Sequence, residues 1–417
     1  MMKALSLAKI AARNVLRNQR RTAITLAALV LGVGVMITVR GLLNGLQYSL
    51  VDGVVHGQTG AIQVHRKGYL KNVLASPLTL DFEDAPLRAK VAAVAGVKAV
   101  APRILFPGMI SLGDETIFLL NQAVDPALEF EVCPNRLTLI VDGGKFASAK
   151  GAPAKAQVAD AMVVTVELDK ALRAKPAAAG PAALLAPDRD GTLSGENVSL
   201  VGTMQLNSPG ERKIGMVRLD VAQRLLKLEG RVTELVIDVH EIEAIPEVVA
   251  AIQAAVGPEF EVHTWEQVAP FVVDIRARQN AVLQIVATVF LLLMLLGVAN
   301  TMLMSVLDRT REIGTMMAIG VRRRTIVGLF LLEATLIGAL GGLLGGAVGA
   351  GMTAWLGARG LQIPLPGSSV PTMVRPFIGS GYLVGVVLLA TAGALVFALY
   401  PAWRASRLRP VQALAGG

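Results

Sequence analysis

The sequence has little of what most catalytic and metal sites are built from. It contains one cysteine and four histidines in 417 residues. The single cysteine, Cys133, excludes an intrachain disulfide and any cysteine metal cluster. The histidines are His56, His65, His240 and His263. Because they show neither metal-ligand spacing nor a nearby Ser/Asp pattern, we interpret them as structural or surface residues and expect neither a catalytic nor a metal site.

Charged residues are also scarce. They make up 17% of the chain, against about a quarter in a typical globular domain, whereas 53% of the residues are hydrophobic. The apolar excess collects into four long runs, which is typical of membrane spans. The first run, 22–39, has no charge and as a helix covers roughly 27 Å. A cleaved signal peptide fits it poorly, because the apolar stretch of such a peptide has only about 7–15 residues.

These runs predict an α-helical membrane protein with four transmembrane helices and a large α+β extracytoplasmic domain between spans 1 and 2. In chain order, the predicted parts are a cytoplasmic amphipathic N-terminal helix (1–21), the first span (22–46), a periplasmic α+β domain (47–278), the second span (279–307), a cytoplasmic loop helix (308–324), the third span (325–358), a short periplasmic loop (359–377), the fourth span (378–403) and a cytoplasmic tail (404–417).

The distribution of charge predicts the orientation. Residues 1–21 carry a net charge of +6, and the loop 308–324 and the tail each carry +3. Segment 47–278 has a net charge of −5. Since basic loops stay in the cytoplasm, we expect both termini to be cytoplasmic and the large domain to lie outside the bacterial inner membrane. A basic membrane face also accounts for the overall charge of +9 without nucleic-acid binding.

Both ends of segment 47–278 show regular patterns. We predict strands at 61–65, 97–100, 109–112, 116–120, 232–239 and 260–263, and helices at 86–94, 221–228 and 245–256. Gly113-Asp114 is a hairpin turn signal. Asp220 is predicted to cap the helix that follows it, with Gly230 beyond its end. Residues of about 130–200, least regular at 145–196, are predicted to form an inserted subdomain or a flexible loop.

The short loop 308–324 carries a second pattern. The spacing of Ile313, Met316, Met317 and Gly320 suits a short helix with one apolar face and charge at both ends. One interpretation is a solvated turn that carries the positive charge of the inner face. The other is a helix that docks into a groove of a partner protein, because an isoleucine and two methionines are an apolar surface.

The sequence around this loop resembles a known family. Residues 299–320 read ANTMLMSVLDRTREIGTMMAIG, residues 332–334 read LEA, residues 400–414 read YPAWRASRLRPVQAL, and residues 123–129 read AVDPALE. Together they are similar to the type VII ABC-transporter permeases, which include macrolide-efflux, cell-division and lipoprotein-releasing proteins. The resemblance covers most of the chain and is weakest at about 130–200.

The resemblance implies that the loop is a coupling helix seated on a cytoplasmic ATPase. Its implied residues are Asp308, Arg309, Arg311, Glu312, Ile313, Met316, Met317, Ala318, Gly320 and Arg322. Arg309, Arg311 and Glu312 would make polar contacts, and Ile313, Met316 and Met317 would fill the groove. The basic start would lie along the inner membrane surface through Lys9, Arg13, Arg17 and Arg20, the alternative being charge that only sets the topology.

The third span carries two further features. Its glycines recur at spacings of three and four, which makes a helix face for close packing: Gly338, Gly341, Gly342, Gly345, Gly346 and Gly349. Glu333 is the one acid in an otherwise apolar span, and an intramembrane carboxylate is costly. Its role is either a structural hydrogen bond or coupling, and we group Asn300 with it.

The sequence contains no Gly-x-x-x-x-Gly-Lys-Ser/Thr loop, so we expect no cofactor in this chain and ATP and magnesium on a separate ABC ATPase dimer. This differs from macrolide-efflux members, whose ATPase is fused to the permease.

The resemblance also implies a second permease copy or a paralogue, with ATP-driven motion passed to the outer domain. The favoured function is release of lipoproteins to a periplasmic acceptor. Alternatives are export of a hydrophobic compound or peptide and regulation of a cell-wall hydrolase. An ion-driven transporter using Glu333 is disfavoured by the single acid.

Overall fold

The computed structural model describes residues 11, 13, 14, 17, 19–75, 77–141, 146, 158–173, 182–205, 213–363 and 372–407. Among these residues, four helices are long and apolar enough to cross a membrane, and a large α+β domain lies between the first and the second in the sequence. The predicted fold class is therefore confirmed. The chain divides into two units, here called the membrane unit (Met1–Tyr48, Arg276–Leu361 and Met373–Gly417) and the large domain (Ser49–Ile275 and Gln362–Thr372).

The four span helices are longer than the apolar runs that predict them. They comprise Gln19–Val54, Pro270–Asp308, Arg323–Arg359 and Ser380–Ser406. The first continues beyond residue 46 to Val54, and the second begins at Pro270 rather than at residue 279. An apolar run marks only the part of a helix that crosses the hydrocarbon layer, so it does not report these extensions.

The large domain is built on one ten-stranded sheet. Its strands and those of a small two-stranded sheet are β1 Ile62–Arg66, β2 Phe82–Glu83, β3 Val97–Leu112, β4 Glu115–Val124, β5 Ile140–Val141, β6 Ala161–Thr165, β7 Ala182–Pro187, β8 Leu193–Met204, β9 Ile214–Arg218, β10 Arg231–Val232, β11 Glu234–Val239 and β12 Phe260–Thr264. The order is β12-β1-β11-β3-β4-β9-β6-β8-β5, with β7 beside β3 and β8; β2 pairs with β10.

The helices of the large domain are Asp84–Ala92, Pro126–Val132, Asn135–Leu139, Val166–Leu172, Leu219–Leu226, Ile245–Val256 and Trp265–Val268. Strands from both ends of the segment lie side by side in the order β12-β1-β11-β3. The apolar core packs on these strands and on the helices, with Ile62, Ile104, Phe106 and Ile237 fully buried. Two short strands near the end of the third span, β13 Leu361–Ile363 and β14 Thr372–Val374, form a separate sheet.

The predicted hairpin is present and longer than expected. Leu112 pairs directly with Glu115, and Gly113 occupies the turn with φ 60°, a conformation that glycine adopts without strain. β3 is a single strand of 16 residues, where the sequence predicts two short ones. Pro107 and Gly108 interrupt its pattern without ending the strand, because both residues remain paired with β4.

Two predictions differ from the structure. Within 161–204, β6 pairs with β9 and with β8, so the described residues there continue the main sheet instead of forming a separate subdomain or a loop. β6, with five buried residues, has no clear periodicity. The helix predicted at 221–228 comprises Leu219–Leu226, with Arg218 at its N-cap position; Asp220 lies in its first turn and Lys227, with φ 54°, follows its end.

Candidate functional site

The loop between the second and third spans folds as a short helix. The second span ends at Asp308, Arg309 leaves the helical conformation, and the loop helix comprises Thr310–Ala318. The third span begins at Arg323, one residue after Arg322 in extended conformation. The sequence therefore forms a helix–loop helix–helix arrangement within the membrane unit.

A glycine ends the loop helix. Gly320 has φ +91°, and its N–H donates to the carbonyl of Met317 at 3.1 Å, while the N–H of Val321 donates to the carbonyl of Met316 at 3.0 Å. This pair of bonds is the Schellman arrangement, in which a left-handed residue satisfies the last carbonyls of a helix. The structure thus gives Gly320 a local conformational role.

The apolar face of the loop helix packs against its own chain. Ile313 is only 1% exposed, and Met316 and Met317 are partly buried. They contact a cluster from the span helices made of Val306, Ile326, Phe330, Ala402 and Ala405. This differs from the expectation that Ile313 fills a partner's groove, because the apolar face is drawn to the nearest apolar surface, which the chain itself provides.

A different set of side chains faces outward. Arg311, Thr315, Ala318 and Arg322 are exposed, and Ile319 is 76% exposed. An exposed isoleucine at the end of a helix whose other face is fixed to the protein, with an exposed arginine on the helix and another after it, is a surface suited to protein contact. We call these five residues the outward face.

Glu333 on the third span is bound to Arg309. Arg309 donates from Nη1 to Glu333 Oε1 at 3.0 Å, and Asn14 donates from Nδ2 to the same oxygen at 2.6 Å. Glu333 is 3% exposed and Arg309 is 8% exposed. A buried charge persists only with such partners. Arg309 is therefore turned into the membrane unit, and it is not exposed as the polar contact with a partner that the resemblance implies.

Exposed ion pairs extend this cluster toward the start of the chain. Arg17 donates to Glu312, Arg309 Nε also donates to Glu312 at 3.2 Å, and Arg21 pairs with Asp308 at 2.5 Å. The hydrogen bond from Arg17, followed by that from Arg309, holds the pKa of Glu312 below its ordinary value. We call Asn14, Arg309, Glu312 and Glu333 the Glu333 cluster; it joins the N-terminal segment, the loop and the third span.

The other predicted residues are distributed as follows. Arg13 and Arg20 are exposed, Arg17 is committed to Glu312, and Lys9 lies outside the described residues. Asn300 is exposed on the second span helix and is not part of the Glu333 cluster.

The glycines of the third span form two faces. A Cβ atom on Gly338 would lie 2.7 Å from Ala394 Cβ, and one on Gly342 would lie 3.4 Å from Val387 Cα, both on the fourth span. A Cβ atom on Gly345 would lie 2.7 Å from Val33 Cβ on the first span. Gly341 and Gly349 meet the first span in the same way, at Leu29 and Ile37, whereas Gly346 faces Val387. Glycine therefore permits close approach on two sides of this helix.

Sequence reasoning missed Asn14 and the pairing of Arg309 with Glu333. The available signal was the cost of an unpaired carboxylate in an apolar span, which requires a cation from a neighbouring element. Among the described residues, no group of three or more His, Cys, Asp and Glu side chains is arranged to hold a metal ion.

Two family models match the chain. The model of the MacB-like periplasmic core domain matches residues 22–255, and that of the FtsX-like permease C-terminal domain matches residues 284–410. Two solved structures are similar at low TM-score. The periplasmic region of MacB from Actinobacillus actinomycetemcomitans has a TM-score of 0.35 and 9% identity, covering 52% of this chain and 94% of that one. The extracellular domain of YknZ from Gram-positive bacteria has a TM-score of 0.31 and 11% identity, covering 49% of this chain and 100% of that one.

Curated relatives agree with these models. The macrolide export ATP-binding/permease protein MacB of Nitrobacter winogradskyi is 28% identical over 417 residues, which is 96% of this chain and 58% of the relative. The protein of the same name from an Azoarcus species is 38% identical over 195 residues, 46% of this chain and 27% of the relative. The uncharacterized ABC transporter permease YvrN of Bacillus subtilis is 40% identical over 119 residues, 28% of this chain and 26% of the relative.

The chain thus spans only 58% of the length of the Nitrobacter relative. The MacB-like core model nevertheless covers more than half of the chain, and the FtsX-like model covers most of the second span helix and all of the third and fourth. The chain belongs to the family of MacB/FtsX-type ABC-transporter permeases.

Proposed function

We propose that this permease transmits ATP-driven motion from a separate ATPase, through its loop helix and spans, to its large domain. The observation that carries the proposal is the Glu333 cluster. The loop helix is fixed to the third span by a buried ion pair and by packing of Ile313, so a displacement of the loop moves the span with it. ATP and Mg²⁺ would be held by an ABC ATPase dimer, and a second copy of the permease or a paralogue would complete the assembly.

The outward face is the proposed ATPase contact. We expect Ile319→Asp to abolish co-purification of the full chain with the ATPase, because a charge replaces an exposed apolar anchor; a central anchor is worth about 2 kcal/mol or more, roughly a 30-fold loss of affinity. Leu193→Asp is the matched control, because Leu193 in the large domain is an exposed aliphatic side chain of the same size as Ile319 and is 58% exposed. Equal ATPase recovery with both variants would contradict this docking surface.

The proposed orientation places the loop helix in the cytoplasm and the large domain outside. Single cysteines at Thr315 and Phe118 test it, because both positions are exposed. A membrane-impermeant maleimide added to intact spheroplasts should label the Phe118 position and leave the Thr315 position unlabelled until the membrane is opened. Labelling of both positions from outside would refute the topology and, with it, transmission across the membrane.

The proposed cargo is a lipoprotein lifted from the inner membrane toward a periplasmic acceptor, with a hydrophobic compound as the second candidate. The second rests on the names of the relatives, which are macrolide exporters. Depletion of the chain should make lipoproteins accumulate in the inner membrane without changing the inhibitory concentration of erythromycin. Normal lipoprotein sorting together with a changed inhibitory concentration of erythromycin would favour a hydrophobic compound. Normal sorting and resistance, with altered cell-wall cleavage, would favour regulation of a hydrolase.

A further inference from the structure

The first and second span helices enter the large domain in different ways. The first helix, Gln19–Val54, continues directly into a π-helical turn, Val55–Thr59, and then into β1. β1 is an inner strand, paired with β11 on one side and β12 on the other. The second helix leaves from β12, which lies at the end of the strand order. The first span is thus continuous with the interior of the sheet and the second with its edge.

Two buried arginines hold the π-helical turn. Arg136 donates from Nε to the carbonyl of Gly57 at 3.1 Å, and Arg103 donates from Nη1 to the carbonyl of Gln58 at 2.9 Å. The last carbonyls of a helix receive no hydrogen bond from within the helix, so each arginine satisfies one of these carbonyls of the turn. Arg103 is 2% and Arg136 is 4% exposed. We call residues 52–59 with these arginines and Glu129 the stalk joint.

The arginines are themselves fixed by a buried carboxylate. Glu129, fully buried, accepts from Arg103 Nη2 at 2.6 Å and from Arg136 Nη1 at 2.5 Å. Burial opposes ionisation, but the charges of the two arginines outweigh it and lower the pKa of Glu129. Arg103 also lies 3.4 Å from Glu234 on β11. The two cations and two carboxylates balance in charge, as a buried ionic cluster requires.

A second group of contacts fixes the preceding turn of the first helix. His56 Nδ1 lies 2.8 Å from Asp52, and His56 Nε2 lies 3.5 Å from Asp238 on β11. Asn135 donates to Asp52 at 2.9 Å. Lys98 on β3 pairs with the other oxygen of Asp238 at 2.7 Å. Directional bonds from β11 and the helix Asn135–Leu139 therefore converge on residues 52–56, and Lys98 on β3 holds Asp238 in place.

The second helix has a break where the first is continuous. Ala269, between Trp265–Val268 and Pro270, has φ −121° and ψ 61°, outside the helical region. The side chains buried at this connection are apolar: Trp265, Ala269 and Val272 lie in the core of the large domain. Its hydrogen bonds are local, from the N–H of Ala269 to the carbonyl of Trp265 at 2.8 Å and from the N–H of Val272 to the carbonyl of Ala269 at 3.1 Å, beside the capping box of Thr264. Apolar contact is not directional, so it permits rotation about the break more readily than the hydrogen bonds of the stalk joint do.

We infer that the stalk joint makes the end of the first span helix, residues 49–54, move as one body with the sheet of the large domain, while the start of the second span helix, residues 270–275, turns against that sheet at Ala269. This inference rests on the proposed function, since it specifies which of the two connections carries the motion. Arg103, Arg136 and Glu129 are positioning residues in it, because they act through the backbone of the π-helical turn.

Spin-label distances within the large domain test the inference. One pair of cysteines, Gly53→Cys and Phe118→Cys, reports the first connection; the other, Asp274→Cys and Phe118→Cys, reports the second. All three positions are exposed, and a Cβ atom on Gly53 meets open space. The native Cys133 is fully buried and burial raises its pKa to about 11, so it should not take a label.

With the full chain in lipid nanodiscs, we expect a narrow 53–118 distribution and a broader 274–118 distribution without nucleotide. With the ATPase bound and ATP trapped by vanadate, the 274–118 distance should shift and the 53–118 distance should not. Equal shifts in both pairs, or no shift in either, would overturn the inference.

The double variant Arg103→Lys/Arg136→Lys keeps both charges and removes the guanidinium forks. We expect it to broaden the 53–118 distribution while the 274–118 width stays as in the parent. Thr264→Ala, which removes the capping box beside the second connection, is the control and should leave the 53–118 width unchanged. If the double variant leaves that width unchanged, the joint is not what fixes the first helix. The widths measured without nucleotide need no ATPase. Failure to bind an ATPase would therefore refute the proposed function but would leave the test of the stalk joint unaffected.

Discussion

The buried pair of Arg309 and Glu333 allows a quantitative test of how the loop helix is held. Removing one partner of a buried ion pair leaves an uncompensated charge and costs about 3–5 kcal/mol, whereas replacing both by apolar residues is often neutral. A guanidinium does not lose its proton, but a carboxyl group can take one up. We therefore expect Glu333→Leu, which leaves Arg309 Nη1 without its buried acceptor, to cost more than Arg309→Leu, and the double variant to be more stable than Glu333→Leu alone.

The measurement is unfolding of the full chain in mixed micelles with increasing SDS. Trp355 and Trp403 lie on the third and fourth span helices, and the third tryptophan, Trp265, lies in the large domain. In a Trp265→Phe background, tryptophan fluorescence reports on the membrane unit. Asp308→Asn is the matched control beside the loop: the Asp308 side chain is 42% exposed and pairs with Arg21, which is 35% exposed, and such surface pairs are worth at most about 1 kcal/mol.

The double-mutant cycle decides the outcome. A coupling energy above about 2 kcal/mol between Arg309 and Glu333 is expected, since contacting residues couple by about 0.5–3 kcal/mol. If the two single costs add to within about 0.5 kcal/mol, the limit for independent sites, then the ion pair does not hold the loop to the third span, and the argument for transmission through it fails.

Three further predictions concern single positions. Gly320→Ala should destabilise the loop helix by about 1–2 kcal/mol, the cost of a left-handed conformation for a residue with a Cβ; Gly328→Ala, a helical glycine with open space, should be neutral or stabilising in the same SDS titration. Gly345→Leu should lower the thermal stability of the detergent-solubilised chain, because its Cβ meets the Val30 carbonyl at 3.0 Å, and an equal effect of Gly351→Leu, where space is open, would contradict the packing argument. The pKa of His56 is raised from 6.5 to about 9, first by its hydrogen bond to Asp238. Protonated His56 therefore stabilises the large domain fully below pH 6.5, and this stabilisation is lost as pH rises through about 9. The stability of the large domain against urea should fall between these two pH values in the parent protein and fall less in His56→Gln, and parallel profiles of the two proteins would refute the prediction.

The sequence predicts the membrane architecture well because each span is a long local signal. The runs beginning near Thr22 and Asn280 need no tertiary context to be recognised as apolar. The same holds for the hairpin at Gly113, where a two-residue turn signal lies between alternating strands. The strand β6, Ala161–Thr165, escapes recognition, since five buried residues have no diagnostic period.

The Glu333 cluster and the stalk joint depend on contacts distant in sequence. Asn14 and Glu333 are 319 residues apart, and Arg136 and Gly57 are 79 apart. Local spacing carries no information about such pairs. The surface that the apolar face of the loop helix contacts also depends on tertiary structure. The pattern of Ile313, Met316 and Met317 shows that the helix has an apolar face, but only the fold determines whether that face packs on this chain or on another protein.

The two glycine faces of the third span have a consequence for how a load spreads. With the first span against Gly345 and the fourth against Gly338, the third span contributes no side chain at either contact that could take up a displacement by changing rotamer. A push delivered at Glu333 is then shared by three helices at once. Replacing one glycine on either face by a larger residue would change the stiffness of all three span helices, and not only weaken one helix–helix contact.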